Sequence, residues 1–180
     1  MIPVAYRSAT TAELGAAGLA QLLDLFASAW PDGDFSTDDV AHALGGRHFL
    51  GEEGGRIVAH ASVVERVLQV DGLPLRTGYV EAVGTLPAWR GRGIASRLTE
   101  DASVFIRAEF ELGALSTDIP GFYARLGWRP WQGGLWVRTT GGDVESDPDE
   151  EGIMVLTTPA TPPLTLREAL SCAWRPGDCW

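Results

Sequence analysis

A glycine- and arginine-rich segment, RGRGIA at Arg90–Ala95, separates an apolar, strand-like run from a helix-like run. The first amides of a helix have no partner within it, and the helix dipole adds positive charge at that end. Gly91 and Gly93 lack the side chains that would keep a phosphate away from those amides, and the arginines add charge. The segment predicts a phosphate or pyrophosphate site, although its spacing is not the dinucleotide-binding G-x-G-x-x-G. A glycine-rich helix start without a ligand is the alternative.

Two further side chains are candidates for acid–base chemistry. Glu81 interrupts the apolar run, and a carboxylate partly removed from water has a raised pKa that suits a general base at neutral pH. Because strand residues alternate between faces, Glu81 could equally face solvent. Tyr123, in FYARLGW at Phe122–Trp128, is a candidate general acid. Its alternative role is an aromatic side chain on the core face of a short helix.

These segments resemble the two signatures of the GNAT superfamily of N-acetyltransferases. Arg90-x-x-Gly93-x-Ala95 is similar to the acetyl-CoA signature Q/R-x-x-G-x-G/A, and FYARLGW is similar to F-Y-x-x-x-G-F/W. The resemblance implies direct acetyl transfer from acetyl-CoA to an amine without a metal. Glu81 would act as a base through a water, and Tyr123 as the acid near the coenzyme sulfur. The implied coenzyme-binding residues, with the Val83 N–H as an oxyanion donor, are Val83, Gly84, Thr85, Arg90, Gly91, Arg92, Gly93, Ile94 and Ala95.

A finer resemblance, over nearly the full chain, is to aminoglycoside 2'-N-acetyltransferases. It rests on GDF at 33–35, GYVE at 78–81, LGALS at 112–116 and the tail WRPGDCW at 174–180. The implied substrate is the 2'-amine of a polycationic aminosugar, as in gentamicin and tobramycin. The implied substrate-binding residues, including the terminal carboxylate of the last, are Asp34, Asp39, Glu81, Ala82, Ser116, Glu150, Asp178 and Trp180.

Three features depart from this family, and several residues have simpler explanations. Ala82 stands where glycine is expected, Glu150 stands where aspartate is expected, and the connection from Ser116 to Tyr123 is slightly short. Asp34 and Asp39 could merely start a helix, and Glu150 could be a solvated loop residue. Trp180 could dock on the body of the protein for stability or dimerisation.

Composition narrows the function classes. The 180 residues carry a net charge of −10, which disfavours nucleic acid and suits either a cationic ligand or solubility alone. All 14 basic residues are arginine, so a Schiff-base lysine and a lysine-bearing P-loop are excluded. Two cysteines and three histidines lack zinc-site spacing. The absence of a signal sequence or a long apolar run predicts a cytoplasmic protein with free thiols and no membrane partner. A homodimer is implied by the resemblance only.

The pattern of elements predicts an α/β protein with the GNAT fold. This is a mixed, mostly antiparallel sheet, splayed after its central strand and flanked by helices, in one domain spanning 1–180. Residues 158–180 would be a tail that contributes to the substrate site. We expect strands at 4–9, 47–52, 57–70, 75–85 and 112–115, and a closing antiparallel pair of 135–139 with 153–157 around an exposed acidic loop at 141–152. Helices are expected at about 11–29, 37–44, 91–110 and 121–126.

Three functional hypotheses remain open at this point. The protein could be an aminoglycoside 2'-N-acetyltransferase, or an acetyltransferase of another amine, such as an aminosugar metabolite or a peptide. It could also bind a drug or coenzyme without turnover, although Glu81 and Tyr123 together argue against that.

Overall fold

The computed structural model of the chain describes residues 3–33, 35–147 and 152–180. These residues form strands β1–β10 and helices α1–α4, with one 3-10 turn at Pro87–Trp89. Their bounds are β1 Ala5–Thr10, α1 Thr11–Ala29, α2 Thr37–Leu44, β2 Arg47–Glu53, β3 Arg56–Val70, β4 Leu73–Thr85, α3 Ile94–Glu109, β5 Leu112–Leu115, α4 Pro120–Ala124, β6 Arg129–Pro130, β7 Leu135–Thr139, β8 Gly142–Ser146, β9 Met154–Thr157 and β10 Leu170–Ala173.

The strands form one mixed sheet. Its order is β6-β9-β5-β4-β3-β10-β7-β8, with β2 joining β3 and β1 joining β2. The pairs β4–β5 and β7–β10 are parallel, whereas β1–β2, β2–β3, β3–β10, β5–β9, β6–β9 and β7–β8 are antiparallel. The predicted α/β class and the mostly antiparallel sheet are confirmed.

The backbone contacts divide into two compact units. The first comprises Met1–Val64 with Val80–Ala102, and the second comprises Glu65–Tyr79 with Ser103–Trp180. Leu22, Leu25, Leu50 and Leu98 are buried in the core of the first unit. The second unit buries Leu68, Leu75, Ile106, Leu112, Leu115 and Trp128. Among the helices that the structure describes, none has the length and apolar character needed to cross a membrane.

Helices α1 and α2 begin where they were expected, and local capping chemistry explains both starts. The Thr10 side chain accepts a hydrogen bond from the Glu13 amide, while the Glu13 carboxylate accepts one from the Thr10 amide. Ser36 and Asp39 form the same reciprocal box at the start of α2. Each box satisfies amides that have no partner within the helix. The third long helix starts at Ile94 rather than Gly91, because Gly91 and Gly93 have φ angles of 75° and 76°.

The predicted closing antiparallel pair is wrong. Strand β7 pairs antiparallel with β8 and parallel with β10, whereas β9 pairs antiparallel with β5. Strand β8 lies inside the segment predicted to be an acidic loop, and residues 148–151 of that segment lie outside the described residues. Residues Gly142–Asp143–Val144–Glu145 of β8 are all exposed. A strand without a buried face has no alternation of apolar and polar residues, so no pattern in the sequence indicated it. The tail strand β10 was missed because only four residues carry its apolar pattern.

Candidate active site

The loop before α3 has the geometry of a phosphate cradle. Gly91 and Gly93 both have positive φ angles, and a Cβ atom built on either one meets no heavy atom within 4 Å. The Arg97 amide donates to the Gly93 carbonyl at 3.1 Å, so the first helical turn closes directly on this glycine. The helix thus presents its N-terminal amides behind a loop with open space where side chains would stand. These residues fit the diphosphate of a coenzyme.

The two arginines of this loop brace its backbone. The Arg90 guanidinium donates from Nε to the Thr85 carbonyl at 3.1 Å and from Nη2 to the Ala29 carbonyl at 3.3 Å. Arg92 Nη2 donates to the Ala88 carbonyl at 2.9 Å, and its Nη1 lies 3.8 Å from Glu53. Both guanidinium groups are therefore engaged with other parts of the protein.

Strand β4 changes its backbone conformation next to the candidate base. Glu81 is half-buried, and the following Ala82 has a φ of 51°. Ala82 and Asp71 are the two non-glycine residues with positive φ in the described part of the chain. The left-handed conformation costs an L-residue about 1–2 kcal/mol. This explains why glycine is expected at position 82, and it means that surrounding contacts must hold the alanine there.

Side chains of β3 bind the two carbonyls at this point. His60 Nδ1 lies 2.8 Å from the Ala82 carbonyl oxygen, and the Ser62 hydroxyl donates to the Glu81 carbonyl at 3.3 Å. Both side chains are fully buried. Sequence analysis missed these residues, although two polar side chains at alternating positions of an apolar strand were a usable signal. They brace the backbone on which Glu81 and Val83 lie.

A second buried histidine supports the first. His48 Nδ1 lies 2.9 Å from His60 Nε2, and His48 Nε2 lies 2.9 Å from the Thr11 hydroxyl. Burial lowers the pKa of His48 to about 4. Burial also lowers the pKa of His60 to about 3, outweighing the opposing effect of its hydrogen bond with Ala82. Both imidazoles are therefore neutral at pH 7.

This pair predicts a loss of stability in mild acid. The folded pKa values lie below the ordinary histidine value, so the unfolded chain binds more protons as the pH falls below about 6.5. The histidine contribution is complete above that pH and declines by at most about 1.4 kcal/mol per pH unit for each histidine until the folded pKa is reached. Urea unfolding between pH 7 and pH 4 measures it. His48→Gln keeps an amide near Nε2 but cannot titrate, so its slope should be shallower; an equal slope would contradict the prediction.

In the second unit, Tyr123 is buried in an aromatic cluster. Its ring lies edge-on to Phe122, with centroids 4.8 Å apart, and to Trp128, with centroids 6.3 Å apart. Burial raises the pKa of Tyr123 to about 12, and the negative charge of Asp118 adds to the effect. The hydroxyl is therefore protonated at neutral pH and can donate a hydrogen bond. The alternative considered for Tyr123, an aromatic side chain packed in the core, is also observed.

The tail of the second unit is held by buried tryptophan and by arginines. Trp180 is 2% exposed, and its Nε1 donates to the Ser146 hydroxyl at 3.0 Å. The Trp180 amide donates to Asp178 Oδ1 at 3.0 Å, so the exposed Asp178 carboxylate shapes the last turn. Arg175 Nε donates to the Asp178 carbonyl at 2.7 Å. Docking of Trp180 on its own unit is therefore observed.

Two arginines stack near one tyrosine in this unit. Arg66 donates from Nη2 to the Cys179 carbonyl at 2.6 Å, and its guanidinium lies 4.5 Å from the centre of the Tyr79 ring. The Arg175 guanidinium lies 5.7 Å from the same ring. Cation–π contacts of this kind fix the tail against β3 and β4 residues of the same unit. Sequence analysis assigned no role to Arg66, and none to Tyr79 within GYVE.

The remaining predicted substrate residues have different outcomes. Asp39 Oδ2 accepts hydrogen bonds from the Ser36 amide and hydroxyl at 2.7 and 2.8 Å, so it caps α2. Ser116 is half-buried directly after β5, and the next amide, of Thr117, donates to the Gly152 carbonyl at 3.3 Å. Asp34 and Glu150 lie outside the described residues. Both cysteines are free thiols. Over 3–33, 35–147 and 152–180, no three His, Cys, Asp or Glu side chains group in a way that could hold a metal.

The structure thus groups the predicted residues within each unit. In the first unit, Glu81, Ala82 and Val83 are consecutive residues of β4 around the left-handed Ala82. Gly91 and Gly93 lie in the loop before α3. In the second unit, Asp178 and Trp180 are joined through the tail turn, and Tyr123 lies in its own aromatic cluster.

Comparisons with known proteins show which family and which solved structures the chain resembles. A family model described as an acetyltransferase (GNAT) domain matches residues 10–131. An aminoglycoside 2'-N-acetyltransferase of Mycolicibacterium fortuitum is 40% identical over 153 residues, which cover 83% of this chain and 78% of that protein. A GNAT acetyltransferase from Brucella melitensis, solved with acetyl-CoA, superposes with a TM-score of 0.63 at 16% identity over 94% of this chain and 96% of its own. A GCN5-related N-acetyltransferase from Kribbella flavida has a TM-score of 0.55 at 22% identity, and this match covers 72% of this chain but 34% of that longer chain.

Proposed function

This chain belongs to the GNAT family of acetyltransferases, and from that premise we propose that it transfers the acetyl group of acetyl-CoA to the 2'-amine of an aminoglycoside. The observation that carries the proposal is the 40% identity, over 83% of the chain, to a protein named for that reaction. The open glycine loop in front of α3 supports the coenzyme assignment independently.

The coenzyme, when bound, supplies an activated acetyl group as a thioester. We assign its diphosphate to the backbone amides that follow Gly91 and Gly93, with Ile94 and Ala95 in the first helical turn. Val83, Gly84 and Thr85 lie on the end of β4, where a strand edge can bind the extended part of the coenzyme. The Arg90 side chain donates to the Thr85 carbonyl, so it links the end of β4 to the loop before α3, the two segments that we propose to bind the coenzyme.

Glu81 is the proposed base. An amine is protonated at neutral pH and must lose a proton before it can attack a thioester. Glu81 precedes the left-handed Ala82 in β4, and Ser62 and His60 bind the successive backbone carbonyls of Glu81 and Ala82. The Val83 N–H, which follows the left-handed Ala82, is the proposed oxyanion donor.

Tyr123 is proposed to stabilise the departing thiolate. A phenol with a pKa of about 12 is fully protonated at pH 7. Complete transfer of its proton to a thiolate, whose conjugate thiol has an ordinary pKa of about 8.5, would be uphill. The raised pKa therefore favours a hydrogen bond that Tyr123 donates to the sulfur as negative charge develops on it, without complete proton transfer.

The charge balance supports a polycationic substrate. The chain carries a net charge of −10, and Asp178 and Glu81 supply carboxylates to the proposed site. Each well-formed hydrogen bond between a carboxylate and a substrate ammonium contributes about 1.5–3 kcal/mol. We include Asp39, Ser116 and Trp180 in the proposed substrate site, together with Asp34 and Glu150, on the strength of the family resemblance.

A substrate panel tests the proposal. The release of coenzyme thiol is measured with a matched pair of aminoglycosides that differ in bearing an amine or a hydroxyl at the 2' position. We expect turnover with the 2'-amine and only background with the 2'-hydroxyl, because no nucleophilic nitrogen stands at that position. Simple primary amines and an aminosugar serve as comparison substrates.

The alternatives give different results in the same panel. Simple amines turned over as fast as the 2'-amine would favour an acetyltransferase of another substrate. Coenzyme binding without thiol release from any amine would favour a binding protein.

A further inference from the structure

A line of buried polar contacts in the first unit ends on the backbone beside Glu81. It runs from the Leu44 carbonyl to the Thr11 hydroxyl, then through His48 and His60 to the Ala82 carbonyl. The His48 and His60 side chains are fully buried. Buried polar groups in such numbers are costly unless they satisfy one another. These contacts give the buried histidines their hydrogen-bond partners.

The end point of the line is the strained residue. Ala82 has a φ of 51°, a conformation that disfavours any side chain. At this φ the strand does not keep its regular hydrogen-bonding geometry. The Ala82 carbonyl instead contacts His60 Nδ1 at 2.8 Å. Phe26 packs edge-on against the His60 ring, with centroids 5.0 Å apart, and so limits rotation of the imidazole.

The direction of the protons decides what His60 can do. The two terminal carbonyls only accept, so four contacts share the three protons that two neutral imidazoles and one hydroxyl supply. If His60 carries its proton on Nδ1, it donates to Ala82 and accepts from His48 at Nε2. The Thr11 hydroxyl then donates to His48, and the contact without a proton is the part-buried one between Thr11 and the Leu44 carbonyl. If the proton is on Nε2, two lone pairs face each other at Ala82.

We propose that His60 is a positioning residue for acetyl transfer, whose Nδ1–H holds the left-handed backbone at Ala82 and thereby fixes the Glu81 carboxylate and the Val83 amide. His60 touches neither substrate nor coenzyme in this role. The inference rests on the proposed function for its kinetic readout. It assigns a purpose to a buried histidine pair that the coenzyme signature and the substrate residues leave unexplained.

Two amide substitutions separate the two ring nitrogens. The side-chain nitrogen of asparagine overlays Nδ1 of histidine, so His60→Asn keeps a donor for Ala82 and loses the contact with His48. The side-chain amide of glutamine reaches the position of Nε2, where its oxygen can accept from His48, so His60→Gln keeps the His48 contact and loses the Ala82 donor. The matched pair changes the same buried position in both cases. Urea unfolding confirms that each variant is folded under the assay conditions.

We expect His60→Gln to lower kcat about tenfold, as one lost hydrogen bond to a positioned group would, with KM for acetyl-CoA changed less than about twofold. His60→Asn should stay within about threefold of the wild-type kcat, a difference well below tenfold. Adding Ala82→Gly to His60→Gln should restore most of the lost turnover, because glycine adopts positive φ without a steric penalty. A merely structural role of His60 predicts no such rescue.

Imidazole nitrogen NMR tests the assignment without any activity. Long-range proton–nitrogen spectra of the histidine-labelled protein should show His60 as the Nδ1–H tautomer. The Nε2–H tautomer would overturn the proposal, as would equal kcat values for His60→Gln and His60→Asn, or a folded double variant without rescue. If wild-type protein turns over no amine, the proposed function fails, whereas the tautomer still decides the role of His60.

Discussion

Replacing Glu81 with glutamine should lower kcat at pH 7 by about a hundredfold to a thousandfold, which lies within the range of about a hundredfold to ten-thousandfold that general acid–base catalysis supplies. Glutamine keeps the size and half-buried position of the side chain but cannot accept the proton that the substrate ammonium must lose. The coenzyme loop lies on a different segment, so KM for acetyl-CoA should change little. Steady-state measurement of coenzyme thiol release gives both values.

The pH dependence separates a base from a substrate-binding charge. The loss in Glu81→Gln should shrink as the pH approaches the pKa of the substrate amine, because the free amine then needs no base. Glu65→Gln is the matched control: Glu65 is an exposed carboxylate that pairs with Arg76 at 3.1 Å on the neighbouring strand, and its removal changes the net charge equally. If the pH–rate profile of Glu81→Gln runs parallel to that of the wild type, Glu81 is not the base.

The sequence was most informative where function depends on local backbone. Helix α3 begins beside Gly93, and the sequence pattern of strand, glycine loop and helix was sufficient to predict a glycine loop in front of this helix. Capping at Thr10 and Ser36 is likewise decided within four residues, so both helix starts could be predicted. In these places the controlling interactions are close in the sequence.

The sequence was least informative where distant residues control the backbone. Ala82 looked like a departure from the family pattern, and only the structure shows its left-handed conformation and the buried histidine beneath it. His60 stands in an apolar strand 22 residues away, and no local rule connects it with Ala82. The partner of β7 was mispredicted for a related reason, because an apolar alternation specifies which face is buried but not which strand lies alongside.

Replacing Gly93 with valine should weaken acetyl-CoA binding by at least about tenfold, equivalent to about 1.4 kcal/mol. Two effects act together at this residue. Valine resists the φ of 76°, which costs about 1–3 kcal/mol and disturbs the start of α3. Its side chain would also occupy the open space in front of the helical amides, where the diphosphate is proposed to lie. Titration calorimetry with acetyl-CoA measures the change.

Gly55→Val distinguishes backbone strain from a lost binding site. Gly55 has a φ of 82° in the β2–β3 turn, and its Cβ would also meet no heavy atom within 4 Å. Both substitutions should therefore lower the free energy of unfolding to a similar extent, by about 1–3 kcal/mol. Only Gly93→Val should lose coenzyme affinity, because Gly93 directly precedes the N-terminal amides of a long helix and Gly55 does not. Equal acetyl-CoA affinities for folded Gly93→Val and Gly55→Val would mean that the loop before α3 does not bind the diphosphate, and the coenzyme would have to be placed elsewhere.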